Sequence, residues 1–313
     1  MMGGMLILSL PDGEAFGMRL ATALGVEHAV IETRHFPDGE SYLRLPPDLD
    51  GRLVVLNCTL ADPDPKLASL IFAADAARDL GATAVGLVAP YLAYMRQDRR
   101  FAPGEAITSR SFARLLSAAF DWLVTVDPHL HRYASLGEIY SIPAVVIHAA
   151  PLLGEWIRAN VAQPLLIGPD SESEQWVSEV AAGIGAPHVV LTKHRLGDRS
   201  VRIDLPDMTR FAGRQPVLLD DIASSGRTMI EAAERLREAG MASPVCAVIH
   251  PLFAGDAYGA LSRMASRIVS TDAVPHPSNA ISLAETLATT ISELAINVGP
   301  AVITPTEGHS SHA

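Results

Sequence analysis

Short β-branched runs alternate with longer segments of helical period along this chain, and the whole alternation runs through twice. Candidate strands cover 5–10, 29–33, 53–57, 84–89, 122–126 and 144–148; a second series covers 164–168, 189–192, 216–219, 244–250 and 267–270. Between them, 66–80, 109–120, 172–184, 228–239 and 282–296 carry apolar residues three and four apart, the spacing that lines one face of a helix. Gly81 and Gly240 mark two helix stops, each just before a new strand. Strands that alternate with helices pair in parallel, and a parallel sheet needs both faces covered. The reading is an α/β protein of two doubly wound parallel-sheet domains, with a seam near 149–164. The first domain spans 1–149, the second 150–298, and 299–313 reads as a polar tail. In such sheets ligands bind beyond the carboxyl ends of the strands.

At 313 residues, 49% hydrophobic and 19% charged, the chain can bury a core in each half and is not a disordered polypeptide. Its net charge of −11 argues against a nucleic-acid binder, which needs a surplus of Lys and Arg. A small phosphate needs only one basic pocket. No run approaches the ~18 apolar residues of a membrane span, and the opening residues lack a basic leader. No membrane association is therefore expected, and the expected location is cytoplasmic. Cys58 and Cys246 lie in apolar runs and read as buried thiols of a reducing compartment.

The strongest local signal is Val217-Leu-Leu-Asp-Asp-Ile-Ala-Ser-Ser-Gly-Arg-Thr228. A buried strand ends in two carboxylates, Asp220 and Asp221, and a loop with Ser224, Ser225, Gly226 and Thr228 opens a helix. Glycine lets the backbone approach an anion, and free first-turn amides with hydroxyls can wrap a phosphate. Adjacent carboxylates suit the neighbouring hydroxyls of a ribose, directly or through Mg2+. The plainer reading is a strand that ends in two acids and a helix capped by Ser225, but unpaired, partly buried charges are costly without a ligand. There is no Gly-Lys pair and no G-x-G-x-x-G, which excludes the common nucleotide loops.

This segment resembles the phosphoribosyl-pyrophosphate (PRPP) loop of type I phosphoribosyltransferases and of ribose-phosphate pyrophosphokinases, the PRPP synthetases. Two further segments resemble the second family alone: His35-Phe-Pro-Asp-Gly-Glu40, like its F-x-D-G-E, and Pro90-Tyr-Leu-Ala-Tyr-Met-Arg-Gln-Asp-Arg-Arg100, like its P-Y-x-x-Y-x-R-Q-D-R. The resemblance implies that Phe36 stacks on the adenine of ATP across a subunit interface, with Asp38 and Glu40 hydrogen-bonding the base. A homo-oligomer, at least a dimer, is implied with it. Arg96 and Arg99 would take phosphates, while Gln97 and Asp98 orient base and metal. Arg96, Arg99 and Arg100 also form a basic knot in an acidic protein, just after strand 84–89.

Lys193-His-Arg-Leu196 resembles the K-x-R at the root of the family's catalytic loop, which implies that Lys193 and Arg195 clamp the transferred diphosphoryl group as charge develops on it. Only two of the 24 basic residues are lysines; the other, Lys66, stands at a helix start and reads as plain surface. Asp127-Pro-His-Leu-His131 resembles the family's D-x-H and puts His129 on Mg2+-ATP, with His131 structural or solvated. Gly168-Pro-Asp170 resembles its S/A-P-D, whose aspartate joins that histidine around the metal.

The likeness runs from about residue 5 to 296 and is closest to the archaeal-type branch, through Phe101-Ala-Pro-Gly-Glu-Ala-Ile-Thr-Ser109 and Ser224. It implies a phosphoribosyltransferase type I-like fold in both domains, ATP and ribose 5-phosphate as substrates, Mg2+ as cofactor, and PRPP and AMP as products. Ser224, Ser225, Gly226, Arg227 and Thr228 would hold the 5-phosphate. Two departures stand out. Arg227 replaces the second glycine of T-G-G-T and adds a cation to the loop. Ser171-Glu-Ser-Glu174 replaces a glycine-containing turn and reads as a helix start, with Ser171 as cap and Glu174 three residues on. A phosphoribosyltransferase and a non-catalytic regulatory paralogue of PRPP synthetase are the alternative readings.

Overall fold

The computed structural model describes residues 4–195 and 201–297. The first half runs β1 (Met5–Ser9), α1 (Glu14–Leu24), β2 (Glu27–Val30), β3 (Glu32–His35), β4 (Ser41–Arg44), β5 (Leu53–Asn57), α2 (Asp64–Asp79), β6 (Ala84–Ala89), α3 (Thr108–Ala119), β7 (Trp122–Val126) and β8 (Ala144–Ile147). After α4 (Ala150–Asn160) the second half runs β9 (Pro164–Gly168), α5 (Glu174–Ile184), β10 (His188–Val190), β11 (Thr192–Arg195), β12 (Val201–Asp204), β13 (Gln215–Ala223), α6 (Arg227–Glu238), β14 (Val245–Pro251), α7 (Ala257–Ser262), β15 (Arg267–Thr271), β16 (Asn279–Ile281) and α8 (Ala284–Asn297). Two six-stranded parallel sheets result, ordered β2-β1-β5-β6-β7-β8 and β10-β9-β13-β14-β15-β16. Matched by rank, the two orders are the same, so the doubled alternation in the sequence is a doubled fold.

The differences from the sequence reading have physical causes. Strands 29–33 and 189–192 each break. Ile31 and Leu191 donate their amides to Ser9 and Gly168 at the sheet (both 2.9 Å), and the chain then leaves it. The next four residues, Glu-Thr-Arg-His in one half and Thr-Lys-His-Arg in the other, are too polar for a sheet covered on both faces. Each segment pairs antiparallel with a later strand instead, giving the β3–β4 and β11–β12 hairpins. Helices α1 and α4 are additional, and α4 fills the seam segment. Each carries a glycine that allows close approach: a Cβ at Gly17 would lie 2.0 Å from Ser9 Oγ, and one at Gly154 3.1 Å from Ile184.

One apolar core is shared by both halves, where α1 packs on α8 and α4 on α5, with Phe16, Leu20, Trp122, Leu153, Val177, Leu287 and Ile291 buried in it. Separate cores cover the outer faces of the two sheets. Polar links cross the same junction: Thr59 Oγ1 donates to the Ala273 carbonyl (2.7 Å), and Arg19 pairs with the buried Asp272 at 3.0 Å. Cys58 and Cys246 are buried free thiols. No helix among the described residues is long and apolar enough to cross a membrane.

Lys66 is not plain surface. Its side chain is 18% exposed; the ammonium pairs with Asp12 at 2.5 Å and donates to the Thr59 carbonyl at 3.0 Å. This places a fixed cation at the carboxyl ends of β1 and β5, beside Asn57, whose side-chain nitrogen donates to Ser9 Oγ and the Gly13 carbonyl.

Trp122 is fully buried and lies across Gly86, its partner on β6; a Cβ at Gly86 would fall 2.0 Å from the indole ring. Forcing a methyl into a filled core costs about 1–3 kcal/mol. Gly86→Ala should therefore lower the urea unfolding midpoint with the helical circular dichroism retained. An unchanged midpoint would show that Trp122 can step aside.

Candidate active site

The strand carrying the twin acids is held unequally by its neighbours. β13 pairs with β9 only from Gln215 opposite Pro164 to Leu218 opposite Ile167, whereas its ladder to β14 continues to Ala223 opposite Pro251. The strand therefore does not stop at Leu219, as the sequence suggests, because a backbone ladder is indifferent to the acids it carries. The chain leaves β9 toward β10 on one side, and β13 lies on the other, so the gap at their carboxyl ends is the switch point of the sheet. Asp170 comes just after β9, and Asp220 and Asp221 ride the overhang of β13. All three line a cavity of about 390 Å3.

Their environments split the two adjacent acids. Burial, then the charges of Asp221 and Asp170, hold the Asp220 carboxyl well above the usual carboxylate range. Asp221 is also penalised by burial, but the hydrogen bond and charge of His129, with His250 nearby, outweigh it and hold this carboxyl low. His129 Nδ1 lies 2.6 Å from Asp221 Oδ2. One acid is thus anionic and served by an imidazole. The other is pushed toward its protonated form by burial and by its two acidic neighbours.

His129 comes from the other half of the molecule, after β7. The turn that presents it is strained: Asp127 and His129 have φ of 33° and 53°, a left-handed conformation costing about 1–3 kcal/mol per residue. Asp127 is anchored to support it. Its carboxylate accepts from the Ala149 amide and faces His148 Nδ1, both at 2.8 Å, and its own amide donates to the Ile147 carbonyl at 3.0 Å.

Arg96 and Thr228 also line the cavity, and His131 does so edge-on to His129, ring centroids 3.9 Å apart. Ser225 does not cap α6. Gly226 occupies the cap position with φ 67°, and among the described residues no side chain caps the first turn, which leaves its amides available to an anion. Ser224 is half-buried, with its carbonyl accepting from the Ala254 amide, while Ser225 and Arg227 are exposed. After Asp170 the chain makes a 3-10 turn, Ser171–Ser173, straight into α5, with the Ser173 hydroxyl donating to the Asp170 carbonyl at 2.6 Å.

Other expected site residues stand outside the cavity lining. Gln97 Oε1 accepts from Thr108 at 3.0 Å; Asp98 is buried and takes Arg132 on both oxygens, at 2.7 and 2.9 Å. Arg99 is exposed, its guanidinium 4.9 Å from the Phe101 ring. Phe36, Asp38 and Glu40 form the exposed tip of the β3–β4 hairpin. The Phe36 amide donates to the Glu40 carbonyl, Asp38 Oδ1 accepts from the Glu40 amide, and Arg34 stacks over the Phe36 ring at 4.6 Å. Lys193 and Arg195 fall on β11, with side chains outside the described part of the structure, as is the loop 196–200.

Asp127, His148, Trp176 and Glu179 line the cavity without having been singled out as site residues. Asp127 and His148 stand just past the ends of β7 and β8, so the rule that ligands bind beyond the carboxyl ends of strands could have found them. Trp176 and Glu179 lie on α5 and join the site only because the two halves face each other.

The donor set suits a hard divalent cation: carboxylates and one imidazole around a carboxyl whose ionised form a positive neighbour would favour. Among the described residues no three such groups stand close enough to hold an ion alone. A cation already carried on phosphate oxygens, retaining its waters, fits that incomplete set.

A family model described as the N-terminal domain of ribose phosphate pyrophosphokinase matches residues 5–119, and one described as a phosphoribosyl transferase domain matches 135–280. The ribose-phosphate pyrophosphokinase of Methanopyrus kandleri is 38% identical over 293 residues, 93% of this chain and 99% of that one. The enzyme of the same name from Methanosarcina acetivorans is 32% identical over 93% of this chain and 100% of its own. The crystal structure of phosphoribosylpyrophosphate synthetase from Mycobacterium smegmatis, 24% identical, aligns with a TM-score of 0.81 over 94% of this chain and 99% of that one, a likeness of fold.

The raised Asp220 carboxyl has a stability consequence. In the unfolded chain it titrates near its ordinary 3.8, but the folded state binds the proton more tightly, so stability falls as pH rises above that value. Asp220→Asn removes this penalty. Its thermal midpoint should exceed the wild type's at about pH 7, with the gap closing at about pH 3, where Asp220 is protonated in both states. A calorimetric series showing no gap at neutral pH would contradict this account of the pocket.

Proposed function

Because the chain belongs to the ribose-phosphate pyrophosphokinase family, we propose that this interdomain cavity carries the family's reaction and that its residues divide the work between two substrates. The anomeric hydroxyl of ribose 5-phosphate attacks the β-phosphorus of ATP. A bond forms from that oxygen to phosphorus, the bridge to the α-phosphate breaks, the hydroxyl proton is lost, and PRPP and AMP result. The observation that carries the reading is the meeting of Asp170, Asp220 and Asp221 from one half with His129 from the other, beside a helix whose first turn is uncapped.

Asp220 and Asp221 take the neighbouring hydroxyls of the sugar, a pairing that also relieves the strain of keeping two acids together. The amides and hydroxyls of 224–228 receive the 5-phosphate at the positive end of α6, with Arg227 adding charge from its exposed side. Arg96 and Arg99 take the triphosphate, and Gln97 and Asp98 shape the base side, Asp98 by holding Arg132 in place. His129 and Asp170 would hold a magnesium ion on the ATP phosphates, where it neutralises charge that builds during transfer. Lys193 and Arg195, at the root of the loop after β11, steady the group in flight. Positioning and charge neutralisation suffice for such a transfer, without a covalent intermediate.

Phe36, Asp38 and Glu40 project from an exposed hairpin away from their own cavity lining, which supports their serving the adenine in a second copy of the chain. The working unit is then at least a homodimer.

Formation of AMP that depends on ribose 5-phosphate tests the reading directly. Consumption of PRPP with release of pyrophosphate would mark a phosphoribosyltransferase, and silence in both assays a regulatory chain. Lys193→Ala should lower turnover by about 100-fold or more, the scale of losing one transition-state donor. Mixed with Phe36→Ala protein, it should regain activity that neither variant shows alone; failure to do so would place both residues on one chain's site.

A further inference from the structure

Wholly buried His250 is unused in that scheme, yet it sits where the two halves of the site join. It lies on β14, opposite Ile222 and one position along from Asp221, and so belongs to the second sheet. Its ring reaches into the first half. Nε2 lies 3.2 Å from the Asp127 carbonyl, and the Tyr91 ring packs edge-on at 5.0 Å. A carbonyl only accepts, so Nε2 carries the hydrogen. Nδ1 is buried without a hydrogen-bond partner among the described residues. Burial disfavours the charged imidazole, although the Asp127 carbonyl and the carboxylates of Asp221 and Asp127 face it.

The carbonyl that His250 holds belongs to the first residue of the strained turn. It also accepts from the His129 amide at 2.9 Å, so a single oxygen fixes both the turn and the residue the turn presents. Left alone, the two left-handed conformations flanking Pro128 would relax, and the His129 ring would swing away from Asp221. The donor that prevents this is planted on the same sheet as Asp221 itself. We propose that His250 is a positioning residue: from the second sheet it clamps the Asp127 carbonyl and thereby aims His129 of the first half at Asp221. The proposal rests on the assignment of His129 to the ATP side of the site.

Three variants of the full-length chain test it. His250→Leu keeps the bulk and removes the donor, His250→Gln supplies an amide donor, and His129→Ala removes the residue being aimed. In AMP-formation kinetics His250→Leu should lower kcat/KM for MgATP by about 100-fold, the cost of a ~1 Å misplacement. His250→Gln should recover most of the loss, which filling a core could not explain. Imidazole 15N spectra give a readout free of activity. His250 should appear as the Nε2–H tautomer in the wild type, and the His129 signals should shift in His250→Leu and return in His250→Gln. Wild-type His129 signals and wild-type KM for MgATP in folded His250→Leu would overturn the proposal. If His129→Ala leaves KM for MgATP unchanged, the assignment of His129 falls, while the spectra still decide the clamp. Should His250→Leu fail to fold, His250→Asn, whose shorter amide cannot reach the carbonyl, takes its place beside His250→Gln, and equal spectra in the two would likewise overturn it.

Discussion

Two acids placed side by side at the end of a buried strand cannot both be anions unless something positive stands beside them. Much of the site answers that constraint. Asp221 is satisfied from outside its own sheet, by an imidazole carried on a strained turn. Asp220, its carboxyl raised by burial and by neighbouring charge, faces a cavity that Asp170 also lines. The fold tolerates this crowding because the acids sit on an overhang, held by β14 on one side and open where β9 has ended. A pocket so arranged is unstable toward its own ligand in a useful sense: the binding of a cation or of sugar hydroxyls removes a penalty already present in the free protein.

The same constraint explains why the two halves share one core. A hydrogen bond of 2.6 Å between residues on different sheets holds only if the sheets keep their relative position. The common apolar layer of α1, α4, α5 and α8 provides that, with the Arg19–Asp272 and Thr59–Ala273 links at its rim. A fixed junction is thus a requirement of the geometry of the cavity and not only of folding.

Much of this was legible in the residues. The strand and helix periods indicated the class of fold, since a two-residue repeat and a 3.6-residue repeat survive in any context. Asp220 and Asp221 stand out as twin acids at the end of an apolar run, whereas His129 and Asp170 are read from the resemblance of their motifs to a family, with their places at strand ends adding weight. The features that stayed hidden depend on contacts made at a distance. Helices α1 and α4 are not among the expected helices, and the glycine in each lets it lie close to a neighbour. The hairpins were concealed because Glu32–His35 and Thr192–Arg195 continue a strand locally and leave it only for want of an apolar environment. That Asp98 spends both oxygens on Arg132, and that Trp176 and Glu179 wall the cavity, could not be seen before the chain was folded.

The duplication has one further consequence. In the second half, the switch point holds three carboxylates and a ligand-sized space; in the first, the corresponding strand ends hold the Lys66 ammonium, paired with Asp12 and bonded to the Thr59 carbonyl, and Asn57, bonded to Ser9 and the Gly13 carbonyl. The matching strand ends thus differ in kind: carboxylates line a cavity in one half, and in the other an ammonium is tethered to a carboxylate and to backbone. The polypeptide is therefore a fold doubled without its polar lining being doubled, and substitutions should sort accordingly: changes at Lys66 or Asp12 would register in stability, those at Asp170 in the charge of the cavity.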